Sequence, residues 1–229
     1  MSGNQMEFAE WIALTGHFLK TLAMAEAPQF FRVNCSHPQV FHLSYVRCYQ
    51  NHGLKVIRCF PHCCPHMEYR GCGASLSLRV ETRGAEAVDT MHAFGRFEIA
   101  TEAPIADTEI LEWTTFSKDL RSKDNVYGMW LHGVRQVIED RTVVFHFNKQ
   151  RTEGWHYEWH GGSSKIKRNE LHRFHVYIVQ HESETKCKIL RSVYSPAFTL
   201  SSYRRASSKK TSTSIYIVVV SASIEQEDY

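Results

Sequence analysis

Long hydrophobic runs are missing from this sequence of 229 residues. The apolar segment Ile215–Val220 holds six residues, far fewer than the roughly 20 that a helix needs to cross a bilayer. A signal peptide is missing too, because Glu7 and Glu10 lie where a basic segment and an apolar run would stand. We therefore expect an intracellular protein with no membrane partner.

A recognised catalytic spacing is missing as well. The deaminase pattern H-x-E…P-C-x-x-C does not occur, and no local motif marks a cysteine–histidine nucleophile pair. The sequence has 14 histidines, but it indicates no carboxylate partner for His156 or His160. The sequence therefore predicts that this protein is not an enzyme and has no catalytic residues.

Basic residues are few outside one half of the chain. The last 19 residues contain three acids and no Lys or Arg, and the first 140 residues hold 13 basic and 16 acidic residues. Between Arg141 and Lys210, by contrast, 14 basic residues stand against 5 acidic ones, a surplus of nine positive charges. A basic half on a near-neutral protein favours a polyanionic partner. The alternative interpretation is an ordinary solvated face.

The hydrophobic pattern changes once along the chain. Apolar residues recur at three- and four-residue spacing between residues 6 and 25, up to Pro28, which predicts an amphipathic helix in an N-terminal segment, residues 1–27. After Pro28, β-branched and aromatic runs recur about every ten residues with turn residues between them, as in an antiparallel sandwich or barrel. We predict a mainly β fold, with a β-sandwich domain over residues 28–205 and a flexible C-terminal segment over residues 206–229.

Cysteine and histidine are concentrated in one loop, RCFPHCCPHMEYRGCG, from Arg58 to Gly73. Cysteines inside a cell stay reduced, so this cluster indicates a metal site or plain burial more than a disulfide framework. Zinc takes four ligands in a tetrahedron, commonly from cysteine and histidine. We predict a structural zinc ion bound by Cys59, Cys63, His66 and Cys72.

The spacing within this loop leaves other ligand sets open. It matches neither C-x₂-C…H-x₃₋₅-H nor C-x₂-C…C-x₂-C. The cysteines can also pack as small hydrophobic residues while the histidines lie in solvent. Alternative ligands lie in the loop and upstream of it: His62, Cys64, Cys35, His37 and Cys48.

Three basic segments lie within the positive half of the chain. Because loops at one end of a sandwich converge, we expect these segments to form one patch. Lys and Arg on loops contact phosphates, and an Arg that reaches a base edge can recognise guanine in the major groove. We expect Arg204 and Arg205 to contact bases. The predicted DNA contacts are Lys165, Lys167, Arg168, Lys188, Arg191, Arg204, Arg205, Lys209 and Lys210.

The segment RFHVYIVQHESETKCKILRSVYSPAFTLSSYRR, Arg173–Arg205, resembles the closing part of immunoglobulin-like DNA-binding domains of the Rel and velvet type. In those domains two strands joined by a hairpin lead into a Ser-x-Pro-Phe-like bend and a final strand that ends in basic residues. Here Ser195–Phe198 stands at the bend, and Arg204 and Arg205 follow it. The resemblance implies an antiparallel immunoglobulin-like sandwich whose loops and C-terminal linker touch the duplex.

These patterns predict a nuclear DNA-binding protein, a transcription regulator that contacts double-stranded DNA through basic loops of a β-sandwich. The alternative function is a non-enzymatic protein-interaction module, or adaptor. Such a module would bind a protein partner or a second copy of the chain through a sheet edge or through the aromatic strand Trp155–Trp159.

Overall fold

The computed structural model describes residues 26–33, 35–49, 55–64, 73–82, 88–139, 141–150, 154–160 and 164–202. The predicted N-terminal helix and C-terminal segment lie outside the described residues, apart from residues 26 and 27. The described chain forms two helices, α1 (Thr114–Ser117) and α2 (Lys165–Arg168), neither of which has the length or apolar character of a membrane span. It also forms strands β1 (Gln29–Phe31), β2 (Ser44–Tyr49), β3 (Lys55–Ile57), β4 (Leu76–Glu81), β5 (Met91–Ile99), β6 (Ile110–Glu112), β7 (Leu131–His132), β8 (Val134–Glu139), β9 (Thr142–Phe147), β10 (Leu171–His181), β11 (Lys186–Tyr194) and β12 (Phe198–Ser202).

The strands form two sheets, and the prediction of a mainly β fold is confirmed. The smaller sheet has the order β1-β4-β9-β8, and its pairs are all antiparallel. The larger sheet has the order β3-β2-β12-β10-β11-β6, with β5 paired to β10 and β7 paired to β5. Its pairs are antiparallel except for β2 and β12, which run parallel.

The two sheets share one hydrophobic core. Alternate residues of a strand point to the same side, so Leu76 and Leu78 of β4 lie on one face, and Phe174 and Val176 of β10 do the same. All four belong to one buried cluster. Burying each such side chain contributes roughly 1.5–3 kcal/mol relative to leaving it in water. The alternating apolar pattern read from the sequence therefore corresponds to the faces that pack together.

Phe60 is the centre of an aromatic group within this core. Its side chain is fully buried, and its peptide bond to Pro61 is cis. Because Phe60 lies two residues after Arg58, the Cys/His loop begins inside the core. The ring centroids of six aromatic residues lie between 4.9 and 5.9 Å from that of Phe60, a favourable range for aromatic pairs. They are Phe41, Tyr45, Phe97, Trp155, Phe174 and Phe198.

A second apolar cluster covers the opposite face of the larger sheet. The segment between β6 and β7, which includes α1, supplies Phe116 and Trp130 to it. Phe116 stacks on Phe94 of β5 with ring centroids 4.5 Å apart, and Trp130 lies 5.7 Å from Tyr177 of β10. This layer removes from water a face that would otherwise be exposed.

Glu98 of β5 is a buried carboxylate beneath this second layer, held by three basic side chains. Its Oε1 atom accepts hydrogen bonds from Nε of Arg173 at 2.7 Å and Nδ1 of His175 at 2.6 Å, and its Oε2 atom accepts one from Nε of Arg96 at 3.0 Å. Burial alone would raise the pKa of Glu98, but the hydrogen bonds from His175 and Arg173 lower that pKa below its usual value of 4.5. Glu98 therefore stays ionised and joins β5 to β10.

Gly95 of β5 makes room for the ring of Phe174 on β10. A Cβ atom at this position would lie 2.4 Å from Cζ of Phe174, so the Gly95→Ala variant must displace a fully buried ring. We expect this variant to lose about 1–3 kcal/mol of unfolding free energy in urea titrations. Adding Phe174→Leu should restore part of the loss. If the losses of unfolding free energy in Gly95→Ala and Phe174→Leu simply add in the double variant, this steric account is wrong.

Candidate functional site

Helix α2 presents three basic side chains at one end of the larger sheet. The hydroxyl of Ser164 caps the helix by accepting a hydrogen bond from the backbone N–H of Lys167 at 3.2 Å. Lys165, Lys167 and Arg168 are all exposed. The helix contacts β12, and Leu171, just after it, pairs with Thr199. The three bases therefore lie beside the carboxyl end of β12.

Arg47 of β2 adds a fourth basic group to this end. It pairs with Ser202, the last residue of β12, and its guanidinium lies 4.9 Å from the ring centroid of Trp159. The indole Nε1 of Trp159 donates to Glu170, and Nζ of Lys167 donates to the other carboxylate oxygen of Glu170 at 3.3 Å. These contacts connect β2 to α2. We call the four basic residues gathered here the cationic end: Arg47, Lys165, Lys167 and Arg168.

Two titratable groups, Glu170 and His172, lie next to the cationic end. Burial would raise the pKa of Glu170, but hydrogen bonds from Trp159 and Lys167 lower that pKa below its usual value of 4.5, so Glu170 is ionised beside Lys167. His172 lies beneath the group, and its pKa is lowered to about 4 by burial and by the charges of Arg47 and Lys167, with Glu170 acting in the opposite direction. His172 is therefore neutral at neutral pH and adds no charge to the cationic end.

Lys188 and Arg191 do not join this group. Lys188 of β11 pairs with Gln180, nine residues along β10 from Leu171, a separation of about 30 Å at the usual rise per residue. Arg191 pairs with Ile178, which is about 23 Å from the same end. The described residues therefore do not form the single patch expected from three basic segments. The remaining predicted DNA contacts lie outside the described residues: Arg204, Arg205, Lys209 and Lys210.

A cluster of potential metal ligands lies near the start of β2. One ring nitrogen each of His37 and His62 and the Sγ atom of Cys64 all lie within 4.8 Å of one another. The rings of His37 and His62 have centroids 4.9 Å apart. His37 and Cys64 are exposed, whereas His62 is half-buried. We call these three residues the His–Cys triad.

His62 is held by a fourth residue, His42. The Nδ1 atom of His62 lies 2.9 Å from Nε2 of His42, and the two nitrogens share a hydrogen bond. The Nε2 atom of His62 is buried and has no hydrogen-bond partner within the part of the chain that the structure describes. Burial, followed by the charges of His42, Arg32 and His37, lowers the pKa of His62. A neutral imidazole with an unused ring nitrogen is the form that binds metals.

The predicted zinc ligands are not the members of the triad. Cys59 and Cys63 are half-buried. Burial raises the pKa of the Tyr45 phenol, a backbone hydrogen bond from His42 lowers it, and the charges of Cys59 and Cys63 raise it further. His66 and Cys72 lie outside the described residues. The structure thus brings together ligands that the sequence offered only as alternatives.

No pattern in the sequence indicated the role of Arg47. This residue lies in an ordinary strand pattern, far in sequence from α2, and it reaches the cationic end only because β2 runs parallel to β12. His62 and Cys64 had a weak signal, since both belong to the Cys/His loop. For His37 the sequence held no signal beyond the residue type. Its approach to His62 depends on the path of the segment between β1 and β2.

The described part of the segment Arg173–Arg205 contains a hairpin, a bend and a final strand. Strands β10 and β11 form a hairpin, a bend follows at Ser195, and β12 comes next as far as Ser202. Membership of the Rel and velvet families stays a prediction. No protein-family model matches this sequence, and comparisons with curated proteins and with solved structures find no match either.

Proposed function

We propose that this chain is a nuclear transcription regulator that binds double-stranded DNA and anchors its phosphates at the cationic end. The observation that carries the proposal is the meeting of basic side chains from β2 and α2 at the carboxyl end of β12. The sequence continues from this strand end into Arg204 and Arg205. Lys and Arg contacts to phosphates position a protein on a duplex, and Arg is suited to recognise guanine.

An immunoglobulin-like sandwich is part of the same proposal. It is supported by the two sheets with a common core and by the way in which the chain bends into β12. The backbone N–H of Ser195 donates to the carbonyl of Phe174 at 2.8 Å, and Oγ of Ser195 accepts from the backbone N–H of Phe174 at 3.0 Å. These two hydrogen bonds fix the bend to β10. Strand β12 then pairs with β10 along the same edge as β11. In this proposal the final strand directs the basic residues after it toward DNA.

A structural zinc ion in the loop Arg58–Gly73 is also proposed. The His–Cys triad supports it, because nitrogen and sulfur donors suit zinc better than they suit magnesium or calcium. The triad lies near the start of β2, whereas the cationic end lies near its finish. The zinc ion therefore braces a loop and takes no part in DNA contact.

A titration of duplex DNA with the full chain at several salt concentrations tests the DNA proposal. Three or more phosphate contacts from the cationic end give a slope of about −3 or steeper in log K against log salt. The double variant Lys165→Glu/Arg168→Glu should weaken binding at least tenfold, because it replaces two cations with two anions. It should also flatten the slope by about 2.

The matched control is Lys188→Glu/Arg191→Glu, which changes the net charge equally at a distant place on the larger sheet. We expect its affinity to stay within about threefold of the parent, since long-range effects of exposed charges are screened beyond about 8–10 Å. Equal losses in both double variants would overturn the assignment of binding to the cationic end. A parent chain whose binding ignores salt would overturn the anchoring of phosphates, and a parent chain that does not bind the duplex would overturn DNA binding itself.

A protein-interaction module is the second candidate, and strand β8 favours it. This strand lies at the edge of the smaller sheet, and all six of its residues are exposed. Val134, Val137 and Ile138 are each about half exposed, at 49%, 47% and 51%. An exposed edge with apolar side chains can accept a strand from a partner. Salt-independent or absent DNA binding in the titration above would favour this candidate.

A further inference from the structure

We propose that His37, His62 and Cys64 are the ligands of a single zinc ion that ties the connection between β1 and β2 to the loop after β3. This assignment rests on the structural zinc proposed above and names its site. The zinc ion would join two segments that lie outside the pairing of β2 with β3. His37 precedes β2, and the other two ligands follow β3.

The spacing of the three donor atoms suits one ion. Ligands at the usual zinc–nitrogen and zinc–sulfur distances lie about 3.5 Å from each other around a tetrahedral ion. The donors of the triad lie within 4.8 Å of one another, so closure needs movements of about 1 Å. His37 and Cys64 are exposed, and their side chains can make such movements without disturbing the core.

His62 supplies the fixed point of the site. It follows Phe60 and Pro61, both of which are buried, so its backbone is held at the edge of the core. When Nδ1 of His62 donates its proton to Nε2 of His42, the lone pair of His62 lies on Nε2, the buried atom that lacks a partner among the described residues. Metal-binding histidines nearly always donate their second ring N–H to an acceptor, usually a carboxylate, a backbone carbonyl or water; here Nε2 of His42 is the acceptor. His42 is therefore a positioning residue.

The donor set determines the class of metal. Two imidazole nitrogens and one thiolate suit zinc and other borderline or soft ions, whereas magnesium and calcium take oxygen ligands. The Cys64 thiolate offsets one of the two charges of the ion. Three protein ligands leave one tetrahedral position, which water or another side chain fills.

Adjacent cysteines provide the test, since Cys64 belongs to the triad and Cys63 does not. The full chain is purified from cells, and its zinc content is measured by elemental emission for the parent and for Cys64→Ser, Cys63→Ser and His37→Ala. We expect near one zinc per chain in the parent and in Cys63→Ser. We expect less than about a fifth of that in Cys64→Ser and His37→Ala, because loss of one of three protein ligands leaves the ion weakly held.

Cobalt substitution gives a second readout that does not depend on how much zinc survives purification. The parent loaded with Co²⁺ should show a thiolate-to-cobalt charge-transfer band, and Cys64→Ser should lose it while Cys63→Ser keeps it. His42→Gln should keep the band but weaken metal affinity about 10–100-fold, as loss of an outer hydrogen-bond partner usually does. The far-ultraviolet circular dichroism of each variant confirms that it is folded.

The outcomes separate the two zinc claims from each other and from DNA binding. A parent chain that binds neither zinc nor cobalt overturns the structural zinc altogether. A parent that binds one zinc, lost in Cys63→Ser and kept in Cys64→Ser, overturns the triad while the structural zinc stands. DNA affinity should be the same in Cys64→Ser and the parent, because the triad lies near the start of β2, away from the cationic end.

Discussion

Replacing Phe60 with alanine will lower the free energy of unfolding by about 4 kcal/mol, the middle of the range for buried aromatic residues. Phe60 is fully buried and touches six other aromatic rings, so its removal opens a cavity where both sheets meet. The neighbouring rings cannot collapse into this space without leaving their own contacts. Urea titration monitored by tryptophan fluorescence measures the loss of stability directly, since the ring centroids of Trp155 and Phe60 are 4.9 Å apart.

Two further variants separate packing from general effects of substitution. Phe60→Leu keeps most of the volume and should lose about half as much stability as Phe60→Ala. Tyr127→Ala removes an aromatic ring that is 59% exposed and should change stability by no more than about 0.5 kcal/mol. A loss of less than about 1 kcal/mol in Phe60→Ala would show that this ring is not the centre of the core.

Replacing Glu98 with glutamine will lower the free energy of unfolding by about 3 kcal/mol at neutral pH. The substitution keeps the size of the side chain but removes the charge that holds Arg96, Arg173 and His175. The side chains of Arg96 and Arg173 are only 22% and 11% exposed, so water replaces the lost partner poorly. Removal of one member of a buried ion pair costs more than the pair itself contributes, because the remaining charges stay desolvated.

The difference between the parent and Glu98→Gln will shrink in acid. The pKa of Glu98 is lowered in the folded protein, so the unfolded chain takes up this proton first as the pH falls. The stabilisation is complete above the ordinary pKa of 4.5 and is lost as the pH falls from there through the lower pKa of the folded state. His172, whose pKa is lowered to about 4, adds an acid-dependent loss between pH 6.5 and 4 that both proteins share.

Glu81→Gln is the matched control for Glu98→Gln. Glu81 forms an ion pair with Arg79 at 2.7 Å, but the side chain of Arg79 is 52% exposed. Exposed pairs of this kind contribute about 0–1 kcal/mol, so we expect almost no change in urea titrations at neutral pH. Equal losses in Glu81→Gln and Glu98→Gln, or a difference from the parent that stays constant down to pH 3, would contradict the account of Glu98.

The strands were largely predictable because their signals are local. Alternation of Leu76, Leu78 and Val80 depends only on which side of a strand each residue faces, and the structure places all three in the core. The bend at Ser195 was expected only from the resemblance of Arg173–Arg205 to Rel and velvet domains. The second apolar layer could not be predicted from the sequence. Phe116 and Trp130 resemble ordinary loop residues, and only the folding of the segment between β6 and β7 over β5 buries them.

The candidate sites were predictable only in part, since they depend on contacts between distant residues. The sequence pointed to α2 through its charge, but it placed Lys188 and Arg191 in the same patch because it could not show that β11 extends to the far end of β10. It pointed to the Cys/His loop but favoured Cys59 and Cys63. Burial near Tyr45 distinguishes these cysteines from Cys64, and no spacing rule reports burial.

Strand β12 has a consequence for how the chain acquires its fold. It lies between β2 and β10 and is the last strand described. The hairpin of β2 and β3 therefore cannot join the larger sheet until Phe198–Ser202 has been synthesised. A ribosome must therefore synthesise almost the whole domain before β2 and β12 can pair. Such distant pairing makes folding slow.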